Sequence, residues 1–508
     1  MIIIKNITMP TDDTKKLQQK LKKILRRDKF DWEIYRKSID ARKGISYNFQ
    51  VLIDVDMPQA EIDKIKGAQY YEEENFEISV KNPPKEVAIV GSGPAGLFCA
   101  YILSQYGVKV RVYEQGEPVE KRMESIENYL KTGKLNVNSN IQFGEGGAGT
   151  FSDGKLTARS KDKRVREVLK IFKSHGAPEE IMYDSKPHIG TDILQSVIVS
   201  MREEIIKNGG EYYFSHKFED LKIEDRVENI TVNGNEIEAD RYVLALGNSS
   251  REAFELLSKK IEMENKPFAV GFRIEHKRED VDFAQYKVKD KLPAASYQLS
   301  YNDKELGKSA YTFCMCPGGY VVDGSSELDR TCINGMSYHS RDGENSNSAL
   351  IVTIDKNTFG TDVLDGMRFQ REIESKTYAL GKGKVPVQKL GDFIKDVETS
   401  EFGEIKPSAE NYVKSNLRNI YPREIEEMII RATAYMGRRL KGFDSEDSVL
   451  SAAETRSSSP VRMLRDENLK SIGIDNLYVI GEGSGYSGGI VSSAIDGIKA
   501  AENILGGN

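Results

Sequence analysis

Apolar residues recur along this chain with two rhythms, and each rhythm predicts a different kind of element. Near the start, 2–7 is an isoleucine-rich strand, and Leu17, Leu21, Ile24 and Leu25 mark the inner stripe of a helix that Thr11 can cap and that runs to about Arg27. Segment 32–39 leads into a turn at 40–44, after which Ile45, Tyr47, Phe49, Val51, Ile53 and Val55 alternate with period two, the signature of a hairpin. The order β-α-β-β suggests part of a ferredoxin-like layer, closed by the linker Asn82-Pro83-Pro84.

A strand at 87–90 then runs into Gly91-Ser92-Gly93-Pro94-Ala95-Gly96, a helix at 94–106 and a second strand at 108–114 that ends in Glu114-Gln115. A dinucleotide-binding turn needs this context. Gly91 permits the tight turn, Gly93 lets the backbone approach a pyrophosphate, and Gly96 allows close packing of helix on strand. The free N–H groups and positive dipole end of the helix face the phosphates. Glu114 suits the ribose hydroxyls and selects against a 2′-phosphate.

Downstream, 139–154 is a glycine-dense loop containing Gly147, Gly149 and Thr150. Thr191 or Asp192 starts an amphipathic helix with Leu194, Val197, Ile198, Met201 and Ile205 inward, and Asn233-Gly234 forms a turn before a strand at 242–247 that carries Ala245 and Gly247. Segment 266–447 changes character, with strand-like runs first and helices near 366–380 and 422–440 after them. The chain returns with a strand at 477–480, the cluster Gly481-Glu482 and Gly488-Gly489, and a last helix at 490–505 opened by Ile490. The expected fold is α/β. A Rossmann-type dinucleotide-binding domain (83–265 and 448–508) carries an inserted α+β substrate domain (266–447) and a small N-terminal ferredoxin-like α+β module (1–82).

Composition narrows the partners. The 508 residues, 39% apolar and 30% charged, are those of an ordinary globular protein, and a net charge of −6 argues against DNA binding. Lys15, Lys16, Lys20, Lys22, Lys23, Arg26 and Arg27 form a basic face on the first helix. With no aromatic signature beside it, a solvated face is the expected reading and an RNA footprint the alternative. Four cysteines fit a reducing compartment, neither a signal peptide nor a membrane span is expected, and the five histidines lack metal-ligand spacing. The expected location is cytoplasmic, with no membrane partner and no metal.

Segments 87–114, 243–247 and 477–483 resemble the three signature segments of glutathione-reductase-type flavoproteins. Runs 143–155, 313–319, 334–338 and 454–462 are similar to a family of uncharacterised bacterial FAD-dependent dehydrogenases. The resemblance implies fold and non-covalent FAD but not the reaction; the leading function is hydride exchange between flavin N5 and a small organic substrate covered by the inserted domain. The resemblance places the 144–154 loop along the pyrophosphate and ring, and the Gly489 and Ile490 N–H groups at the flavin pyrimidine. Glu482 stands where such proteins usually have an aspartate that bonds the ribityl chain. No second Gly-x-Gly-x-x-Gly follows a strand, so NAD(P)H enters only as a transient donor.

Candidate chemistry centres on three side chains. Cys314 and Cys316 share a face if 311–316 is a regular strand, either as a redox pair or as small packing groups. Arg456, with Arg462 nearby, suits a position beside the flavin or an anionic substrate, or else an ion pair. His188 reads as a loop or capping residue. The strand 311–319 is similar to the substrate-lining strand of geranylgeranyl-reductase-like flavoproteins, which implies that it walls the cavity. An RNA-directed flavoprotein and a flavin-based redox sensor are the alternative functions.

Overall fold

The fold is seen in a computed structural model that describes residues 1–42, 44–73, 76–158, 160–288 and 292–507. Its N-terminal module has strands Ile2–Met9, Asp31–Asp40, Ser46–Asp54 and Ala68–Tyr70, all antiparallel to their neighbours. The first strand lies between the third and fourth, with the second at the edge, which is the ferredoxin-like arrangement. Lys43, in the expected 40–44 turn, lies outside the described residues. Helix Thr14–Leu25 buries Leu17, Leu21 and Leu25, but its cap is Asp13, not Thr11. The Asp13 carboxylate accepts from the N–H groups of Lys15 and Lys16 at 2.9 and 3.1 Å, and its charge complements the helix dipole as a hydroxyl cannot.

A five-stranded parallel sheet follows, in the order Leu477–Val479, Arg241–Leu244, Glu86–Val90, Lys109–Glu114, Glu211–Phe214. Its inner strands are covered on both faces, which is why they read as continuous apolar runs. Successive connections leave Glu86–Val90 in opposite directions, opening a crevice beyond the strand ends between it and Arg241–Leu244. Helices Pro94–Gln105, Thr191–Lys207 and Ile490–Gly506 pack in the core on one side. A three-stranded meander, Phe218–Ile223, Val227–Val232 and Asn235–Ile237, turns at Asn233 and Gly234, both with positive φ.

The second body is a seven-stranded, mostly antiparallel sheet, in the order Ser300–Asp303, Lys308–Cys316, Asn345–Ile354, Phe268–Lys277, Val449–Glu454, Val385–Lys389, Tyr412–Lys414. Helices Asp365–Gly381 and Arg423–Arg439 supply Ile373, Ile425, Met428, Ile429 and Met436 to its core. The expected boundary at 447/448 shifts, because Val449–Glu454 pairs inside this sheet and the chain turns back only after it. That strand is buried along its length, so its sequence looks the same in either sheet.

The N-terminal module is tied to the first sheet's body. Lys37 N donates to Tyr183 O at 2.7 Å, Ser185 N donates to Lys37 O at 2.9 Å, and Phe76 and Ile78 pack on the parallel-sheet core. Among the described residues, no helix is long and apolar enough to cross a membrane.

Candidate functional site

A cavity of about 2030 Å³ opens at the carboxyl ends of the parallel strands and extends to the edge of the seven-stranded sheet. Single-ligand pockets span about 300–1,000 Å³, so this space has room for a dinucleotide and a second molecule. Gly91, Gly93, Pro94, Ala95, Glu114 and Gln115 line it from the first β-α-β unit. Gly147, Gly149, Ala245, Gly247, Gly481, Glu482, Gly488, Gly489 and Ile490 line it from four later segments. Cys314 and Arg456 reach it from the second body, whereas Ser92, Gly96, Thr150 and Cys316 are not among its lining.

The glycines divide into two kinds. Gly91 has φ +100°, and a Cβ there would lie 2.6 Å from the Ala245 carbonyl oxygen; a Cβ on Gly96 would overlap the Gly91 carbonyl. The fold itself demands these two. Around Gly247 and Gly488, in contrast, a Cβ would meet no atom within 4 Å, and at Gly93 only the Gly147 Cα at 3.9 Å. No protein atom requires glycine at those three positions, and the space they leave open is the cavity. Such a cradle fits a ligand that must lie against the backbone. Helices Pro94–Gln105 and Ile490–Gly506 start at Gly93 and Gly489 with no side-chain cap, leaving N–H donors and two positive dipole ends at the cavity wall.

Glu114 does more than the sequence suggested. One carboxylate oxygen accepts from Ser92 N at 3.0 Å and Ser92 Oγ at 2.9 Å, the other from Gly116 N at 3.0 Å and Gly144 N at 3.1 Å. All of its roughly four lone-pair sites are engaged by the protein. Glu114 thus clamps the fingerprint turn to the glycine-rich loop, and a ribose hydroxyl would have to share or displace one of these donors.

Arg122 was not legible as a site residue. It is fully buried on helix Val119–Thr132 and donates to the carbonyls of Asn140, Ile141, Glu145 and Gly147 at 2.6–3.0 Å. It shapes the loop from inside, yet in sequence it is one basic residue in a polar helix. Glu482 accepts from Asn248 Nδ2 at 3.1 Å, and burial raises its carboxyl to about 7 against the opposing pull of Asn248 and Lys266.

The candidate arginines and cysteines take different places around the cavity. Arg456 lines the cavity, but its guanidinium is committed to protein: Nε and Nη2 bond Glu374 at 3.0 and 2.9 Å, and Nη1 bonds Ser249 and Ser326. Arg251 grips the same Glu374 at 2.8 Å through two nitrogens, so Arg456 belongs to a buried charge network. Arg462 makes a surface ion pair with Glu264 at 2.9 Å. Cys314 and Cys316 do not simply share a strand face, because a register shift separates Phe313 from Cys316 and Cys314 has φ +41°. The bulge leaves Cys314 half-buried at the cavity and Cys316 fully buried behind it, both as free thiols. Tyr311, Thr312, Phe313 and Met315 also face the cavity. His188 stacks on His339 at 5.2 Å outside the lining, and burial lowers its imidazole to about 4.

Residues 85–277 match the family described as "Pyridine nucleotide-disulphide oxidoreductase", and residues 267–457 match "FAD-dependent protein, C-terminal domain-like". An uncharacterised protein of Clostridium beijerinckii is 44% identical, over 99% of this chain and 98% of its own length. Among solved structures, a triple mutant of the flavin-dependent brominase Bmp2 aligns at 12% identity over 82% of this chain and 79% of its own, with a TM-score of 0.38. Glycine oxidase from Bacillus cereus aligns at 11% identity over 84% and 96%, with a TM-score of 0.33. The two solved structures are too distant to carry weight.

Proposed function

This chain belongs to the family of FAD-dependent proteins that join a pyridine nucleotide-disulphide oxidoreductase domain to an FAD-dependent C-terminal domain, and from that premise we propose that it is an oxidoreductase exchanging hydride between the N5 of non-covalent FAD and a small organic substrate. The observation that carries this reading is the set of glycines, Gly93, Gly247 and Gly488, whose absent side chains open onto the cavity and onto nothing else. FAD, when bound, supplies the two-electron chemistry. The chain supplies position and electrostatics. Gly91 to Gly96 and the start of helix Pro94–Gln105 would hold the pyrophosphate, with Glu114 keeping that turn in shape. The start of helix Ile490–Gly506 would face the flavin end with N–H donors and a positive dipole, which favours negative charge there.

Tyr311 to Met315 would wall the substrate side and exclude water from it. Glu482, raised to about 7, can keep a proton on its carboxyl near neutral pH inside the cavity. NAD(P)H is the proposed transient donor and the cytoplasm the proposed location. The test is an absorption spectrum of the purified protein, with the flavin band near about 450 nm expected and released on denaturation. Anaerobic NADH or NADPH should then bleach it. A folded protein that shows no flavin after reconstitution overturns the proposal.

A further inference from the structure

Six of the seven lysines and arginines that line the cavity stand within ion-pair distance of a carboxylate. Lys155 and Arg341 share Asp153, Arg251 and Arg456 share Glu374, Lys217 meets Glu252, and Arg330 meets Glu327. Among the described residues Lys186 is the exception. It is not a loose surface arm. Its Nζ donates to Ser296 Oγ at 2.8 Å, so the loop before helix Thr191–Lys207 holds the ammonium against the inserted domain. Partial burial and the nearby Arg341 charge both push that ammonium below its ordinary value, and no neighbouring carboxylate opposes them. A cation so placed is stabilised by an anion that comes from outside the chain. The pyrophosphate of FAD does not serve, because it would rest at Gly91 to Gly96, whereas Lys186 is fixed at the inserted domain.

The wall beyond Ser296 is a sheet face with two aromatic rings. Strand Lys308–Cys316 keeps its register up to Phe313, so Tyr311 and Phe313 share one face, with Ser300 opposite Tyr311 and Asn302 opposite Ser309. All five line the cavity, and Phe313 keeps 37% of its surface exposed. A phenyl ring left open in this way gains from a flat molecule laid against it, through buried apolar area and favourable ring geometry. The cation lies within reach of this platform. Leu299 N bonds Thr312 Oγ1 at 2.8 Å and Thr312 N bonds Leu299 O at 2.9 Å, which fixes Leu299 beside the strand. Ser296 precedes Leu299 by three residues, a span of about 11 Å at most.

We propose that the substrate half of the cavity takes a planar aromatic or conjugated carboxylate, its flat part on Tyr311 and Phe313 and its carboxylate on Lys186. This substrate class deepens the oxidoreductase reading and rests on it for where the flavin lies. Ser300, Asn302 and Ser309 offer hydroxyl and amide groups to polar substituents of such a molecule. Arg456 is not the anion's partner, since its guanidinium is committed to Glu374.

The experiment is ligand-observed saturation-transfer NMR on the full-length protein, purified with FAD added. Benzoate and trans-cinnamate are the probes, benzamide and cinnamamide their uncharged counterparts, and cyclohexanecarboxylate the non-planar acid. Both planar acids should bind, and more tightly than the amides or cyclohexanecarboxylate. Lys186→Gln should weaken the planar acids by about tenfold or more, as loss of a charged hydrogen bond does, and leave amide binding and FAD content unchanged. Lys186→Arg should retain most of the acid affinity. Phe313→Ala should weaken acids and amides alike, by about two- to tenfold. The substrate class is overturned if neither planar acid binds at millimolar concentration, or if the amides bind as tightly as the acids. It is equally overturned if Lys186→Gln leaves acid binding unchanged or releases FAD instead. The NMR signal reports the probe and not the flavin, so the two readings fail separately. Flavin without acid binding defeats the substrate class alone, and acid binding by a protein that takes up no flavin defeats the oxidoreductase reading alone.

Discussion

Adding side chains to glycines should separate those the fold needs from those a ligand needs. At Gly247 and Gly488 a new Cβ meets no atom within 4 Å, and neither position has the positive φ that would strain another residue. Gly→Ala at such a site stabilises by about 0.4–1 kcal/mol through the unfolded chain, or changes stability by less than about 0.5 kcal/mol. Gly96 is the contrast. Alanine there gains about 1 kcal/mol of helix propensity, but its methyl overlaps the Gly91 carbonyl, and forced overpacking costs about 1–3 kcal/mol or more. Urea unfolding of the cofactor-free proteins should therefore show Gly96→Ala destabilised and Gly247→Val and Gly488→Val close to wild type. Flavin retention should show the reverse emphasis, because the valine methyls occupy the ligand's space. A ligand present at a hundred times its Kd stabilises by about 2.7 kcal/mol, so the two valine variants should also lose most of the thermal protection that added FAD gives the wild type. The reasoning is refuted if the valine variants unfold as early as Gly96→Ala without cofactor, or keep FAD as well as the wild type.

Glu374 holds two buried arginines, so Glu374→Gln should lower stability by about 3–5 kcal/mol, visible as an earlier urea midpoint with unchanged slope. Glu482, raised to about 7 from an unfolded value near 4.5, contributes stability that is complete below the unfolded value and is lost as pH rises through the folded one. The stability of the wild type relative to Glu482→Gln should accordingly fall between about pH 4.5 and pH 7, by up to about 3 kcal/mol; a difference that is flat across that window contradicts the assignment. Phe76 and Ile78 pack on the first core and Lys81 N bonds Leu505 O, so a chain starting at 76 should hold flavin with a higher melting temperature than one starting at 83. Equal melting temperatures would show that the 76–82 segment contributes nothing.

What could be read from the sequence, and what could not, follows from the range of the interactions involved. Four of the five parallel-sheet strands, the fingerprint turn, the last helix and the ferredoxin-like start were legible because each depends on local chemistry: apolar runs, period-two alternation, glycines at strand ends. The inward face of helix Thr191–Lys207 was also legible, and Leu194, Val197, Ile198, Met201 and Ile205 are all buried. The site's charges were not. Arg122 looks like a solvated basic residue until the loop 18–25 positions away folds around its guanidinium. Arg456 meets its partner Glu374 across 82 residues, and Asp153 meets Arg341 across 188. No spacing rule connects such pairs. The cysteines show the same limit at short range. Alternation assumes an unbroken register, and a single bulge between Phe313 and Cys316 changes which thiol reaches the cavity. A motif thus tells where a ligand's phosphates can rest, because backbone N–H groups do that work. The groups that set protonation beside a substrate are brought together only by the tertiary fold, and their chemistry has to be read from the charge balance of the assembled cavity.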